Sequence, residues 1–371
     1  MSTTRRLLAI SPTGLFSGAE RVLQHYLAAA RARGWTVSCL APAGTLFDTL
    51  TADGVSVVPL PDLKLGDGPR PLAALTMMAR WGRASRPIRR HAGAADVVLV
   101  NGLLALPAVR LARVDAPVCW LVHDVVVRRD LLAVARRSAG AVDLAIAVSD
   151  AAAALPRRLG MTTAVARNGA PWPVEPADEP TALALPLPLL PLPPIVGINA
   201  MLVPWKGHRV LLEAMAHIDG AVVEVMGGHF PKDAEHVARL RQRASEADLD
   251  GRVRFLGHCA DPLAQMRRWT LAVNASTDPE AAPLSVLEAM SLGLPVVATD
   301  HGGSPEVLGD AGLLVPPNDA AALARAINVL LGDVDLRRRC AAAGRAAVAD
   351  HYSLEHTTEQ MMSLLAQAAS R

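Results

Sequence analysis

Residues 278–290, DPEAAPLSVLEAM, set Glu280 and Glu288 eight positions apart around a proline, with no other charged residue between them. The segment follows an apolar run, TLAVNAS (270–276), and leads into a helical pattern, so Pro283 is expected at the first helical position, which favours proline. Glu280 then precedes the helix. Glu288 lies about one and a half turns into it, with Leu284, Leu287 and Met290 on the core side. Amides around Ala282 to Ser285 point out of the helix start with partial positive charge and suit phosphate oxygens. Carboxylates repel phosphate but accept hydrogen bonds from hydroxyls, so the pattern fits a ligand with phosphate in its middle and polyols at both ends. A nucleotide sugar has that form. On this segment alone a plainer reading stays open, in which Glu288 is an exposed charge and Glu280 merely complements the helix dipole.

Lysine occurs only at Lys64, Lys206 and Lys232. In GINAMLVPWKGHRVLLEAM (197–215), Lys206 falls between a strand end and a helix start, where a compact ammonium can meet a phosphate. Gly207 beside it lets backbone come close to a ligand.

The elements that must hold these groups follow from the rest of the chain. Its 371 residues are too many for one ordinary core and predict two domains. With 51% hydrophobic residues, 19% charged residues and a formal charge of +2, no strong field for nucleic acid is expected. Apolar runs fall short of a membrane span. The start, MSTTRRLLAISPTG, reads as a first strand rather than a signal peptide, so a cytoplasmic protein is expected. Cys39, Cys119, Cys259 and Cys340 are scattered and form no CxxC, against a zinc site or disulfide framework.

Short apolar runs alternate with alanine-rich helical patterns in both halves, as in βαβ units with parallel sheets. The first half offers runs at 7–11, 37–42, 55–60, 96–101, 118–124, 144–149 and 163–169. The second offers 195–200, 221–228, 253–257, 270–276 and 294–300. The expected fold class is α/β, with two Rossmann-like doubly wound domains facing across a cleft and ligands beyond the carboxyl ends of the strands. The domains are 1–170 and 195–350. The proline-rich stretch 171–194 links them, and a last helix, 351–371, is expected to return to the first domain.

In order along the chain, SGAERVL (17–23), VHD (122–124), AVSDAA (147–152), ARNGAP (166–171), PWKGHRVLLEAM (204–215), the Glu280-to-Glu288 segment and GLPVVATDHGGSPEVLGDAGLLVPPND (293–319) together resemble family 4 glycosyltransferases of the GT-B fold, over nearly the whole chain. The resemblance implies a retaining, metal-independent transferase that moves a sugar from a nucleotide diphosphate donor, held by the second domain, to an acceptor held by the first. It implies ribose binding by Glu288 and contacts from Glu280 to the transferred sugar. Lys206, with the amides near Pro283, Leu284 and Ser285, would neutralise the diphosphate leaving group, and His123 would face the sugar. Ser17, Gly18, Asp124, Asn168, Gly302 and Gly303 fall in loops expected to line donor or acceptor. No cofactor is implied beyond the donor itself. The acceptor, whether small molecule, carbohydrate or lipid-linked, is left open.

Three positions depart from the family pattern: Met201 where an arginine is common, Pro283 near a usual glycine, and Ser17 in place of one glycine of a pair. Arg209 is one candidate to supply the missing cation. The departures keep open a weak or inactive sugar-nucleotide-binding protein, and a nucleotide-sugar epimerase of the same shape is the other alternative. The two D-x-D matches, at 248–250 and 333–335, read as surface carboxylates, so no metal is expected. The basic stretch 74–91 reads as a solvated helix rather than one lying on a membrane, because Pro87 interrupts it.

Overall fold

The computed structural model describes residues 4–63, 70–175 and 193–370. The chain divides into two compact units, one of Met1–Asn168 with Thr357–Arg371 and the other of Gly169–His356.

In the first unit, β1 (Arg6–Ile10), β2 (Thr36–Ala41), β3 (Ser56–Pro59), β4 (Val97–Asn101), β5 (Val118–Val122), β6 (Leu144–Ala147) and β7 (Thr163–Val165) form one parallel sheet in the order β3-β2-β1-β4-β5-β6-β7. Every residue of β4 and β5 is buried, as the continuous apolar runs VVLVN and VCWLV require of strands covered on both faces. Successive parallel strands need crossovers, and helices such as Gly18–Ala32, Arg70–Ala92 and Asp150–Arg158 supply them. Strand order reverses direction between β1 and β4, which leaves a crevice at their carboxyl ends. The last helix, Leu354–Ala368, buries Met361, Met362, Leu365 and Ala368, and its Glu359 pairs with Arg33 of the first unit.

In the second unit, β8 (Ile195–Asn199), β9 (Val222–Met226), β10 (Val253–Gly257), β11 (Leu271–Asn274), β12 (Val296–Thr299) and β13 (Gly312–Val315) pair in the order β10-β9-β8-β11-β12-β13. Side chains alternate between faces along a strand, and the apolar clusters divide accordingly: Leu271, Val273 and Val297 join Ile327 and Leu330, whereas Ala272, Val296 and Ala298 join Trp269, Leu287 and Met290. Here the reversal lies between β8 and β11. Strand β13 was not among the expected runs. It is only four residues long, and Gly312 admits its close pairing, since a Cβ there would come 1.8 Å from the Val296 oxygen.

Of the stretch expected to link the domains, residues 176–192 lie outside the described residues. Its beginning is tied into the second unit: Ala170 exchanges backbone bonds of 2.8 Å with Tyr352 and Leu354, and the Arg345 guanidinium lies 4.6 Å over the Trp172 ring. Pro87 does not interrupt its helix, which runs through it from Arg70 to Ala92. Proline costs one backbone hydrogen bond there, and the burial of Met77, Ala84 and Ile88 along one face offsets the loss.

Candidate functional site

The reversal in the second sheet places the loops after β8 and β11 side by side, and these are the loops that carry Lys206 and Glu280. Lys206 ends the short helical turn Pro204–Lys206. The turn is fixed from the neighbouring loop, because the Thr277 amide donates to the Trp205 carbonyl at 2.7 Å. From there the ammonium makes an ion pair with the Glu280 carboxylate, while its nitrogen lies 4.2 Å from the centre of the Trp205 ring.

Three donors converge on Glu280: the Lys206 ammonium, the Ser276 hydroxyl and the Asn274 amide, the last at 2.9 Å. Burial acts to raise the pKa of this carboxyl, but the charge and hydrogen bond of Lys206, with Ser276 and Asn274, outweigh it and hold it below the ordinary glutamate value. Glu280 therefore stays charged. Behind it the backbone is locked: the Gly303 amide donates to the Glu280 carbonyl at 2.7 Å, and a Cβ on Gly302, whose φ is +60°, would fall 2.3 Å from that same oxygen. Gly302 and Gly303 thus shape the site through the backbone of Glu280. Gly207 is likewise demanded by the chain's own packing, since its φ is +72° and a Cβ there would fall 1.8 Å from the Ala275 oxygen.

The helix after β11 spans Leu284–Ser291, one residue later than expected. Pro283 is its cap rather than its first residue, with extended ψ of 113°, and its carbonyl receives the amides of Val286 and Leu287. A proline has no N–H to leave unsatisfied at that point. The amides of Leu284 and Ser285 make no backbone hydrogen bond among the described residues, so the donors expected at this helix start are present. Glu288 is buried, which overturns the reading of it as an exposed charge. Its carboxylate accepts from Asn199 Nδ2 at 3.1 Å, so it too is held over the end of β8.

The remaining expected residues lie in the first unit. His123 follows β5, and its Nε2 is 2.8 Å from Asn101 Oδ1 at the end of β4. Burial pushes its pKa down to about 4, so the ring is neutral near pH 7. Asp124 next to it is exposed, and Asn168 is buried after β7. Ser17 caps the helix that begins at Gly18, and the Glu20 carboxylate accepts from the Ser17 amide at 3.1 Å and from its hydroxyl.

Sequence reading missed four polar residues that orient these groups: Asn101, Asn199, Asn274 and Ser276. The signal was available for three of them. Each asparagine is the last residue of an apolar strand, VVLVN, IVGIN and LAVN, buried for Asn101 and Asn274 and half-buried for Asn199, where a polar side chain drawn out of water needs a partner. Met201, where an arginine was looked for, is half-buried in the loop after β8, and Arg209 is engaged with Glu213 on an exposed helix face. In the D-x-D matches, Asp248 is paired with Arg243, and Asp333 caps a helix by accepting from the Leu336 amide at 2.8 Å.

Two family models match the chain: Glycosyltransferase Family 4 over residues 16–170, and Glycosyl transferases group 1 over residues 191–347. Among curated proteins, the lipopolysaccharide core biosynthesis glycosyltransferase of Rhizobium meliloti is 32% identical over 47% of this chain and 50% of its own. A GDP-mannose-dependent monoacylated phosphatidylinositol monomannoside mannosyltransferase of Corynebacterium glutamicum is 31% identical over 46% of this chain and 47% of its own. The chain thus spans about half the length of these curated relatives. Among solved structures, Anabaena HepE superposes with TM-score 0.80 at 24% identity, covering 98% of this chain and 99% of that one. Sucrose-phosphate synthase of Thermosynechococcus elongatus gives 0.80 at 23%, covering 99% and 100%. With two parallel α/β units, the likeness establishes the GT-B, Rossmann-like fold.

Proposed function

Because the chain belongs to glycosyltransferase family 4, we propose that it transfers a sugar from a nucleotide diphosphate donor to an acceptor hydroxyl, with retention of anomeric configuration and without a metal or other cofactor. The single observation that carries this reading is the cluster at the β8–β11 reversal: a lysine and a charged, fully engaged glutamate beside a helix start with free amides. A structural relative lends support, since Anabaena HepE was crystallised with UDP and with UDP-glucose.

In this reading the donor diphosphate sits by Lys206 and the amides of Leu284 and Ser285. Negative charge grows on the diphosphate as the glycosidic bond breaks, so preorganised donors there stabilise the transition state more than the ground state. Glu280 accepts hydrogen bonds from hydroxyls of the transferred sugar, and Glu288 from those of the ribose. Each does so with a carboxylate already oriented by an asparagine, which lowers the reorganisation needed on binding. Neutral His123 lies at the end of β5 in the first unit, and the acceptor binds to that unit. The acceptor proton leaves with the departing phosphate.

Replacing Lys206 with alanine is expected to slow donor turnover by roughly a hundred- to a thousand-fold, the loss typical of one oxyanion-stabilising donor. Screening UDP- and GDP-sugars for release of the nucleoside diphosphate tests it, and an unchanged rate in the variant would remove the diphosphate role. Met201 and Pro283 favour one second reading, a protein that binds sugar nucleotides without cleaving them. Binding of UDP or GDP with no turnover of any donor by the wild-type chain would establish that reading instead.

A further inference from the structure

The helix Arg70–Ala92 contains no aspartate or glutamate in its 23 residues but carries six arginines and a histidine. Its described buried positions, Met77, Ala84, Ile88 and Ala92, lie on one side. At 100° per residue, Leu75, Met78, Ala79, Gly82, Arg83, Arg86, Arg89 and Arg90 fall within a stripe of about 140° on the opposite side. All eight are exposed, and the two large apolar side chains are strongly so: Leu75 is 66% exposed and Met78 62%.

The guanidiniums in the stripe have no acidic partner among the described residues. Arg83, Arg86 and Arg90 make no ion pair or side-chain hydrogen bond among the described residues, in contrast to Arg89, which turns inward to the carbonyls of Ala112 and Leu111. That bond also brings in Leu111, itself 52% exposed at the end of the helix Leu106–Ala112. A helix face that needed only to be solvated would not expose leucine and methionine beside three uncompensated cations.

We propose that this face docks the first unit on an anionic phospholipid surface, with Leu75 and Met78 entering the headgroup boundary and Arg83, Arg86 and Arg90 meeting lipid phosphates. Charge complementarity selects the occupant. An interfacial helix combines a cationic flank with a few apolar anchors and lies in the plane of the membrane, and no helix among the described residues is long and apolar enough to cross one. The attachment is reversible and sensitive to salt, because screening weakens the arginine contribution and two side chains are too little apolar surface to anchor the protein alone.

Sedimentation of the full chain with vesicles of phosphatidylcholine alone or mixed with phosphatidylglycerol tests the proposal. The protein is expected to bind the mixed vesicles, to ignore the neutral ones, and to be released by added salt. Each arginine contributes roughly a five-fold factor near such a surface, so Arg83→Ala/Arg86→Ala/Arg90→Ala should lower the partition coefficient by about a hundred-fold. Leu75→Ser/Met78→Ser should lower it while leaving net charge unchanged. All five positions are exposed, and an unshifted thermal transition shows that each variant is folded. Equal binding to both vesicle types, or an unaffected triple variant, overturns the proposal. So does an unaffected serine variant, since charge alone would then describe a general polyanion surface. Donor turnover in detergent-free solution is expected to be unchanged in these variants, so the result stands apart from the transferase reading.

Discussion

Replacing Lys206 with methionine keeps much of the side-chain volume but strips the cation from Glu280, whose side chain is only 9% exposed. A buried carboxylate that loses its ion-pair partner costs about 3–5 kcal/mol if it stays charged. It has an escape, which is to take up a proton. Protonating a glutamate of ordinary pKa at pH 7 costs about 3.5 kcal/mol, so that figure is a ceiling on the charge penalty. Near pH 5 the same proton costs about 1 kcal/mol. The sign follows from the direction of the shift. In the wild type the Glu280 pKa is depressed, so the ion pair contributes stability that is present above the unfolded pKa and lost as pH falls through the folded one. In the variant that contribution is absent. The stability deficit of Lys206→Met is therefore expected to be about 3 kcal/mol at pH 7 and to shrink to about 1 kcal/mol near pH 5. Adding Glu280→Gln should recover part of the loss at pH 7, since the amide needs no counter-charge. The assay is hydrogen exchange of β11 and β12 peptides at both pH values, because two units make a single unfolding midpoint ambiguous. A deficit that is the same at both pH values, or strict additivity in the double variant, refutes the reasoning.

The other predictions concern the neighbours of this pair. Glu288→Ala should weaken binding of UDP or GDP by calorimetry, and equal affinity would remove the ribose assignment. Asn199→Leu should weaken it too while Glu288 remains, because the carboxylate loses the amide that aims it. Gly302→Ala places a methyl group 2.3 Å from the Glu280 oxygen at φ +60°, so a loss of at least about 2 kcal/mol in second-unit stability is expected by hydrogen exchange, and a neutral effect would show that the loop yields. His123 has a depressed folded pKa of about 4 against an ordinary 6.5, so protons bind the unfolded chain first and stability falls as pH drops through that window. By about pH 5 the loss from this group is about 2 kcal/mol, and His123→Asn should abolish that share of the slope in urea titrations of the first unit.

Sequence alone made the parallel sheets legible because their central strands are buried on both faces and read as nearly unbroken apolar runs. It located Lys206 and Glu280 because a rare lysine and an isolated acid pair stood in loops between strand and helix. It could not say that these two loops are neighbours. That follows from the strand order, which pairs β8 with β11 across a chain separation of some seventy residues, and strand order is a tertiary property. Nor could it foresee how Pro87 is accommodated, since propensity scores the missing N–H but not the packing that offsets it. Strand β13 escaped for a related reason: four residues opening with glycine carry little intrinsic preference, and its edge position is fixed by β12.

The strand-end asparagines show what the chain invests in its site. Asn101 meets His123, Asn199 meets Glu288, and Asn274 meets Glu280, so in each case the last residue of a strand next to a reversal holds the titratable group of a following loop or helix. A strand in mid-sheet is the most rigid platform either unit offers, and an amide anchored there fixes a side chain without adding charge. Aspartate in the same places would repel Glu280 and Glu288, and leucine would leave their carboxylates short of a donor in a buried setting. Asn274→Leu and Asn274→Asp should therefore both impair donor turnover, but through different signatures. The leucine variant leaves the Lys206 pair intact and removes only the smallest of the interactions that lower the Glu280 pKa, so it should mainly disorder the carboxylate, lowering turnover with a small upward shift of the acid limb. The aspartate variant sets a second acid beside Glu280, raises its pKa and should move the acid limb of the pH–rate profile further upward. If both variants give the same pH profile, Asn274 acts on packing alone, and the orienting role assigned to the strand ends fails at the position where it is best defined.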